Sequence, residues 1–236
     1  MSIKLRAVFE LVHVAGCRPQ AGCPLIVRPK IALTTPYYAF WFTALQKILI
    51  MLMSNQITSQ VLGSLTQDKS FPDWWKSEEV PIPLFDGKKL PVIFMDYEPK
   101  ADESFVSKAD EALTSFFALG ESYRESISHL IFKNCREFLE AVGFDEADQA
   151  LRDINDENEI WRFVHPSEIY VTRRPYKDQD MYMQIACECD WEQEHGLQLV
   201  FRQGRKLTRV SNQDGHLTEA DAYDKPDEED ELLSKF

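Results

Sequence analysis

The sequence predicts an α+β fold: an antiparallel sheet, built from an N-terminal hairpin and a C-terminal meander, with two main helices packed on one of its faces. Three observations carry this expectation. Apolar residues recur with helical period through 102–142, two apolar runs flank Asp86-Gly87, and short segments separated by tight turns fill 160–211.

Residues 56–65 read as weakly helical, and FPDWW at 71–75 as an aromatic entry segment. In VPIPLFDGKKLPVIFMDY, residues 80–97, Asp86-Gly87 is a hairpin signal. Pro81, Pro83 and Pro91 cannot donate ladder hydrogen bonds, so these strands belong at an edge or are irregular. In 102–119, Phe105, Ala109, Ala112, Leu113, Phe116 and Phe117 share a helical face, and Gly120 is a stop. In 121–142 a sustained 3.6-residue period runs from Tyr123 through Ile127, Ile131, Cys135 and Phe138 to Val142, ended by Gly143. Asp145 can cap a short third helix reaching about residue 153. Strands are expected at 160–164, 168–173, 181–190, 196–202 and 205–211. The last three form an antiparallel meander with Gln203-Gly204 at its second turn. Residues 54–222 thus form one α+β domain, and 223–236, YDKPDEEDELLSKF, an acidic disordered tail.

The chain has 236 residues, enough for one domain with appendages, and its 15 Phe, 8 Tyr and 5 Trp make the core aromatic-rich. A net charge of −13 disfavours nucleic acid and anionic membrane surfaces and attracts a basic protein partner. The charge is uneven. Residues 1–53 carry six basic side chains against Glu10 alone, or +5, which leaves −18 on the remainder. The apolar run at 37–53 leaves three readings open. The chain starts near Met51 or Met53 and the basic, apolar leader 1–53 is no part of the fold; or 37–53 anchors the protein in a membrane; or it is a helix of the domain. The abrupt change of composition at Met53-Ser54 favours the first. Cys17, Cys23, Cys135, Cys187 and Cys189 include no Cys-x-x-Cys pair, so a reducing, cytoplasmic setting is expected.

Chemistry is most concentrated in CECDWEQEHG, residues 187–196. Strand alternation puts Cys187 and Cys189 with Met181, Met183 and Ile185, so the thiols belong to the core. The meander brings Glu192, Glu194 and His195 to the same end of the sheet as Asp214 and His216. Such a polar cluster can be ordinary turn chemistry, and it can also hold a divalent metal or tune a histidine for proton transfer. Trp74, Trp75, Trp161 and Trp191 are candidates for an aromatic interface, with a core role as the plainer alternative. His129 falls opposite the apolar face of its helix, and His165 precedes Pro166 in a turn. Arg173-Arg174-Pro175 reads as a solvated strand end, with anion gripping as the sharper alternative. Phosphate loops, a nucleophile elbow and His-Glu-x-x-His are missing from the sequence.

IWRFVHPSEIYVTRR, and then CDWEQEHGLQLVFRQGRKLTRVSNQDGHLT, carry a Trp-Glu-x-Glu-His-Gly turn, a strand, a Gly turn, a strand and an Asp-Gly. In this the chain resembles a family of small uncharacterised bacterial domains, over about residues 160–218. The resemblance implies kinship without an activity, and by analogy an immunity-like role. The function expected is a non-catalytic binding domain with no cofactor. The alternative is a metal-assisted hydrolase using Glu192, Glu194, His195, Asp214 and His216.

Overall fold

A computed structural model describes residues 55–174 and 177–234. The readings of the leader 1–53 and of the run 37–53 lie outside the described residues. Among the described residues, no helix is long and apolar enough to cross a membrane.

The architecture is α+β. Ten strands are described: β1 (Gln56–Ser59), β2 (Gly63–Gln67), β3 (Trp75–Ser77), β4 (Val80–Ile82), β5 (Lys88–Leu90), β6 (Val92–Phe94), β7 (Val164–Arg173), β8 (Met181–Cys189), β9 (Leu197–Arg202) and β10 (Lys206–Ser211). Eight of them form one sheet in the order β1-β2-β3-β6-β7-β8-β9-β10. The Asp86-Gly87 turn does close a hairpin, β4 with β5, but this pair stands apart as a two-stranded sheet where Pro81 breaks no longer ladder.

Pairing is antiparallel except between β6 and β7, where Val92, Ile93 and Phe94 run parallel to Ile169, Tyr170 and Val171. A parallel pair needs a crossover, and here the crossover is the helical section of the chain. It contains α1 (Phe105–Phe117) and α2 (Glu121–Val142), followed by the single turn α3 (Gln149–Arg152). Both main helices therefore lie over one face of the sheet, the inner face. Phe105, Leu113 and Phe116 of α1 and Ile127, Ile131 and Leu139 of α2 are buried there against Phe94, Ile169, Ile185 and Phe201. The Phe116 and Phe201 rings meet edge to face at 5.2 Å.

Residues 56–65 are not helical: they form the β1–β2 hairpin, turned at Gly63 with φ +79°. Ser59 Oγ and the Gln60 N–H both donate to the Asp110 carboxylate of α1, which fixes the turn against the helix. The strand expected at 160–164 is a 3₁₀ helix, Glu157–Phe163, whose Asn158 N–H is capped by Asp156 at 3.0 Å. Trp161 in it donates to Ser128 Oγ at 2.8 Å. β7 then runs unbroken from Val164 to Arg173, with a register shift after Pro166, which has no N–H to give the ladder.

The expected disordered tail differs most. Thr218 Oγ1 accepts the Asp221 N–H and starts α4 (Glu219–Ala222); a 3₁₀ turn at Asp227–Glu229 and α5 (Glu231–Ser234) follow. These residues, 218–234, cross the outer face of the sheet as a strap. Just before the strap, Leu217 packs with the outward Tyr182 (0% exposed) and Val200, so β8 is buried on this side as well as at its inward Met183.

Candidate functional site

β10 is an edge of the large sheet. Beside it α2 and the strap leave an open groove of about 780 Å³. The groove follows from three local facts. His129, Lys133, Asn134 and Glu137 are spaced to share the polar flank of α2 and line one wall. Val210 and Ser211 of β10 form the floor. Glu219, Tyr223 and Glu231 of the strap supply the other wall. Its lining carries five carboxylates, those of Glu137, Asp214, Glu219, Asp230 and Glu231, against the cations of Lys133 and Arg209. The groove is therefore net negative.

Buried arginines hold the strap wall in place. Arg209, 2% exposed, donates to Glu219 at 3.0 Å, to the Thr218 carbonyl at 3.2 Å, and to Asp214. Arg174, 1% exposed, grips two carboxylates at once: Nε and Nη2 reach Asp221 at 2.8 Å each, and Nη1 and Nη2 reach Asp227 at 2.8 and 2.7 Å. Hydrogen bonding to Arg174 holds the Asp227 carboxyl below its usual range, against the opposing effect of burial. Asp230, itself buried, accepts the N–H groups of Ala220 and Leu233, one from each side of the strap's turn. Tyr182 donates to Asp178 at 2.8 Å, and Arg202 donates to Asp180 at 2.7 Å. Gln184 donates to Gln198, whose own amide donates to Ser211, Asp214 and the His216 carbonyl. Arg174 is thus not a solvated strand end; it grips anions supplied by its own chain.

The five residues of the expected cluster divide between two places. Asp214 and His216 line the groove; Glu192, Glu194 and His195 are not among its lining residues. The two turn segments do meet, but through Gln213: its N–H donates to the His195 carbonyl at 3.3 Å, and its amide to the Cys187 carbonyl at 3.0 Å. Gly196, at φ +61°, makes this possible, because a Cβ there would stand 2.6 Å from the Cys187 carbonyl oxygen and 2.7 Å from Gln213 Nε2. Glu192 caps its own turn, accepting the N–H groups of Glu194 (2.9 Å) and His195 (3.2 Å). Burial works to raise its carboxyl, and these bonds together with His195 hold it below the usual range. Asp214 is likewise committed to Arg209, Gln198 and the His216 N–H. Among the described residues, no group of three or more His, Cys, Asp and Glu side chains is placed to hold a metal ion.

The thiols follow strand alternation. Cys135, Cys187 and Cys189 are free and buried. Burial pushes Cys135 up to about 12 and Cys189 up to about 11, and Cys187 higher still, so all three stay protonated at neutral pH and are poor nucleophiles. Of the tryptophans, Trp75 and Trp191 are core residues, each 5% exposed. Trp75 donates to the Tyr97 carbonyl and Trp191 to Asn134 Oδ1, which fixes the groove wall from behind. Trp161 is half-buried against Phe85, and Trp74, also half-buried, is stacked on exposed Phe71 and edge-on to Tyr170. His129 is exposed on the groove wall, and exposed His165 bonds Asp190 at 2.7 Å.

Sequence reasoning missed the arginine-held strap. A signal was present in MYMQIACEC: of its outward positions, Tyr182, Gln184 and Ala186 are uncharged and only Glu188 at the end is charged, a pattern that a fully solvated sheet face would not favour.

A family model described as a domain of unknown function, DUF6985, matches residues 61–217. No curated protein and no solved structure matches the chain.

Proposed function

The chain belongs to the DUF6985 family of domains of unknown function, and we propose that here the domain is a non-catalytic protein-binding module whose groove receives an extended, basic segment of a partner protein. The observation that carries this reading is the net-negative groove lying along a strand at the sheet edge. An edge strand can pair with an incoming extended chain, and the exposed carboxylates of Glu137 and Glu231 on the two groove walls favour lysine and arginine in it. Charge over the whole domain favours the same partner and speeds its approach at low ionic strength. Among the described residues, Asp214 is committed to Arg209 and the Cys135 and Cys189 thiols are protonated, which supports a binding role over one that uses these groups as nucleophiles. The buried free thiols fit a reducing, cytoplasmic setting, in keeping with a bacterial protein of this look.

Fluorescence anisotropy with an extended peptide of alternating lysine and valine tests the reading. Binding is expected at low ionic strength, weakening as salt rises and at least tenfold weaker for Glu137→Lys. Amide exchange should slow in β10 on binding. Failure to bind at the lowest salt, or protection that skips β10, rejects it.

A further inference from the structure

We propose that the outer face of the sheet is a second binding surface, selective for an acidic protein segment, and that residues 218–234 occupy it as an exchangeable ligand supplied in cis. The proposal goes beyond the groove reading, although the strap that it concerns also forms one wall of the groove.

The arginine geometry is that of recognition. A single guanidinium, 1% exposed, makes two forked contacts, with Asp221 and Asp227. Paired forks of this kind specify planar carboxylates and are poorly replaced by lysine. Around it, Tyr182, Gln184 and Gln198 form a polar but desolvated floor. The floor's own bonds are made within 178–216, to Asp178, Ser211, Asp214 and the His216 carbonyl, so the buried guanidinium is the group that needs carboxylates from a covering segment.

The carboxylates that fork with Arg174 come from beyond the matched span, whereas Leu217, Asp178 and Asp214 on the same face lie within it. Arg174, Arg209 and the floor lie within the span that matches the family, 61–217, whereas Glu219, Asp221, Asp227 and Asp230 lie beyond it. The receiving arginines lie within the matched span, and the strap lies beyond it.

The appendage is held mainly by charge. Within 218–234 the buried apolar side chains are Ala220 and Leu233. Contacts of this composition open locally at free energies below that of global unfolding. The guanidinium is buried, but the carboxylates facing it keep access to water, with Asp221 24% and Asp227 38% exposed. A side cavity of about 350 Å³, lined by Thr172, Arg173, Gln184, Leu217 and Asp221, opens next to the pair. A competing acidic segment can therefore enter beside the strap while the strap is still partly in place. The ligand class is set by the resident example: a short helical turn followed by a second turn, with carboxylates six residues apart and a third closing the pair as Asp230 does.

The test uses the full chain with Asp221→Asn and Asp227→Asn together, and a fluorescein-labelled peptide of residues 216–234. By anisotropy at low ionic strength, the substituted protein should bind the peptide at least tenfold more tightly than the wild-type protein does. A peptide carrying Asn at both positions should bind neither. In the wild-type protein, amides of 218–234 should exchange faster than those of α1 and α2. A folded variant that binds no better than wild type, equal binding of the Asn peptide, or strap amides that exchange only with the whole core would each overturn the proposal. Should the double substitution unfold the chain, Asp227→Asn alone carries the test with the same expected order, since Asp227 is the more exposed ligand. The basic peptide that probes the groove serves as the control: its failure to bind would leave this result standing.

Discussion

On the inner face of the sheet, Phe201, Ile185 and Ile169 share one apolar cluster with Phe116, Leu113 and Ile131. On the outer face, Tyr182 and Val200 meet Leu217, and around that small apolar contact run Arg174, Arg202 and Arg209 with their carboxylates. Both faces exclude water, but by different means. Burial of aromatic and aliphatic area is non-directional and insensitive to salt. Buried ion pairs demand geometry, repay only part of their desolvation, and give specificity more reliably than stability. The inner face therefore suits a permanent core, and the outer face suits a contact that can be remade.

The comparison can be broken at its strong side first. Phe116→Ala should cost about 3–5 kcal/mol, because a fully buried ring is lost and the helix cannot follow it inward. Urea unfolding should show the loss unchanged between low and high salt. Arg174→Leu should cost about 1–3 kcal/mol at low salt, less than a fully buried pair, because Asp221 and Asp227 can return to water. Limited proteolysis should cut 218–234 in this variant while the inner core stays intact; equal protection of the strap in both proteins would erase the distinction between the faces.

Acid should separate the faces as well. Asp227 has its pKa lowered in the folded protein, first by the bond to Arg174. Its contribution is therefore complete above the unfolded carboxylate value and is withdrawn as pH falls below about 4. Amide exchange between pH 5 and 3 should show the strap loosening before α1 and α2. The smallest effect is expected at His195→Ala, within about 0.5 kcal/mol, since the ring is half-exposed and the turn is capped by Glu192 through backbone N–H groups. A large loss there, or a lost activity, would restore the turn as a functional centre.

Much of the inner face was legible in the sequence. The period from Phe105 to Phe116 and from Ile127 to Leu139 marks the faces that are buried, and alternation in β8 puts both cysteines inward as expected. The outer face was not legible, because its partners are far apart in sequence. Asp221 and Asp227 sit in a run of acids that reads as solvated, and nothing local ties them to an arginine 47 and 53 residues earlier. The β1–β2 hairpin was missed for a similar reason: Ser59 and Gln60 are fixed by Asp110 of α1, a contact that local propensity cannot encode. Of the site, the sequence placed Asp214 and His216 at a rim of the meander, but the groove wall from α2 depends on how a helix lies over an edge strand.

The lone parallel pairing has a consequence for how the chain assembles. Hairpins and meanders close over a few residues and can form as soon as they are made, but Val92 must wait for Ile169. The first half of the sheet is thus left with an open seam at β6 until the second half arrives, and that seam is the place where a nascent chain is most exposed to pairing with the wrong strand.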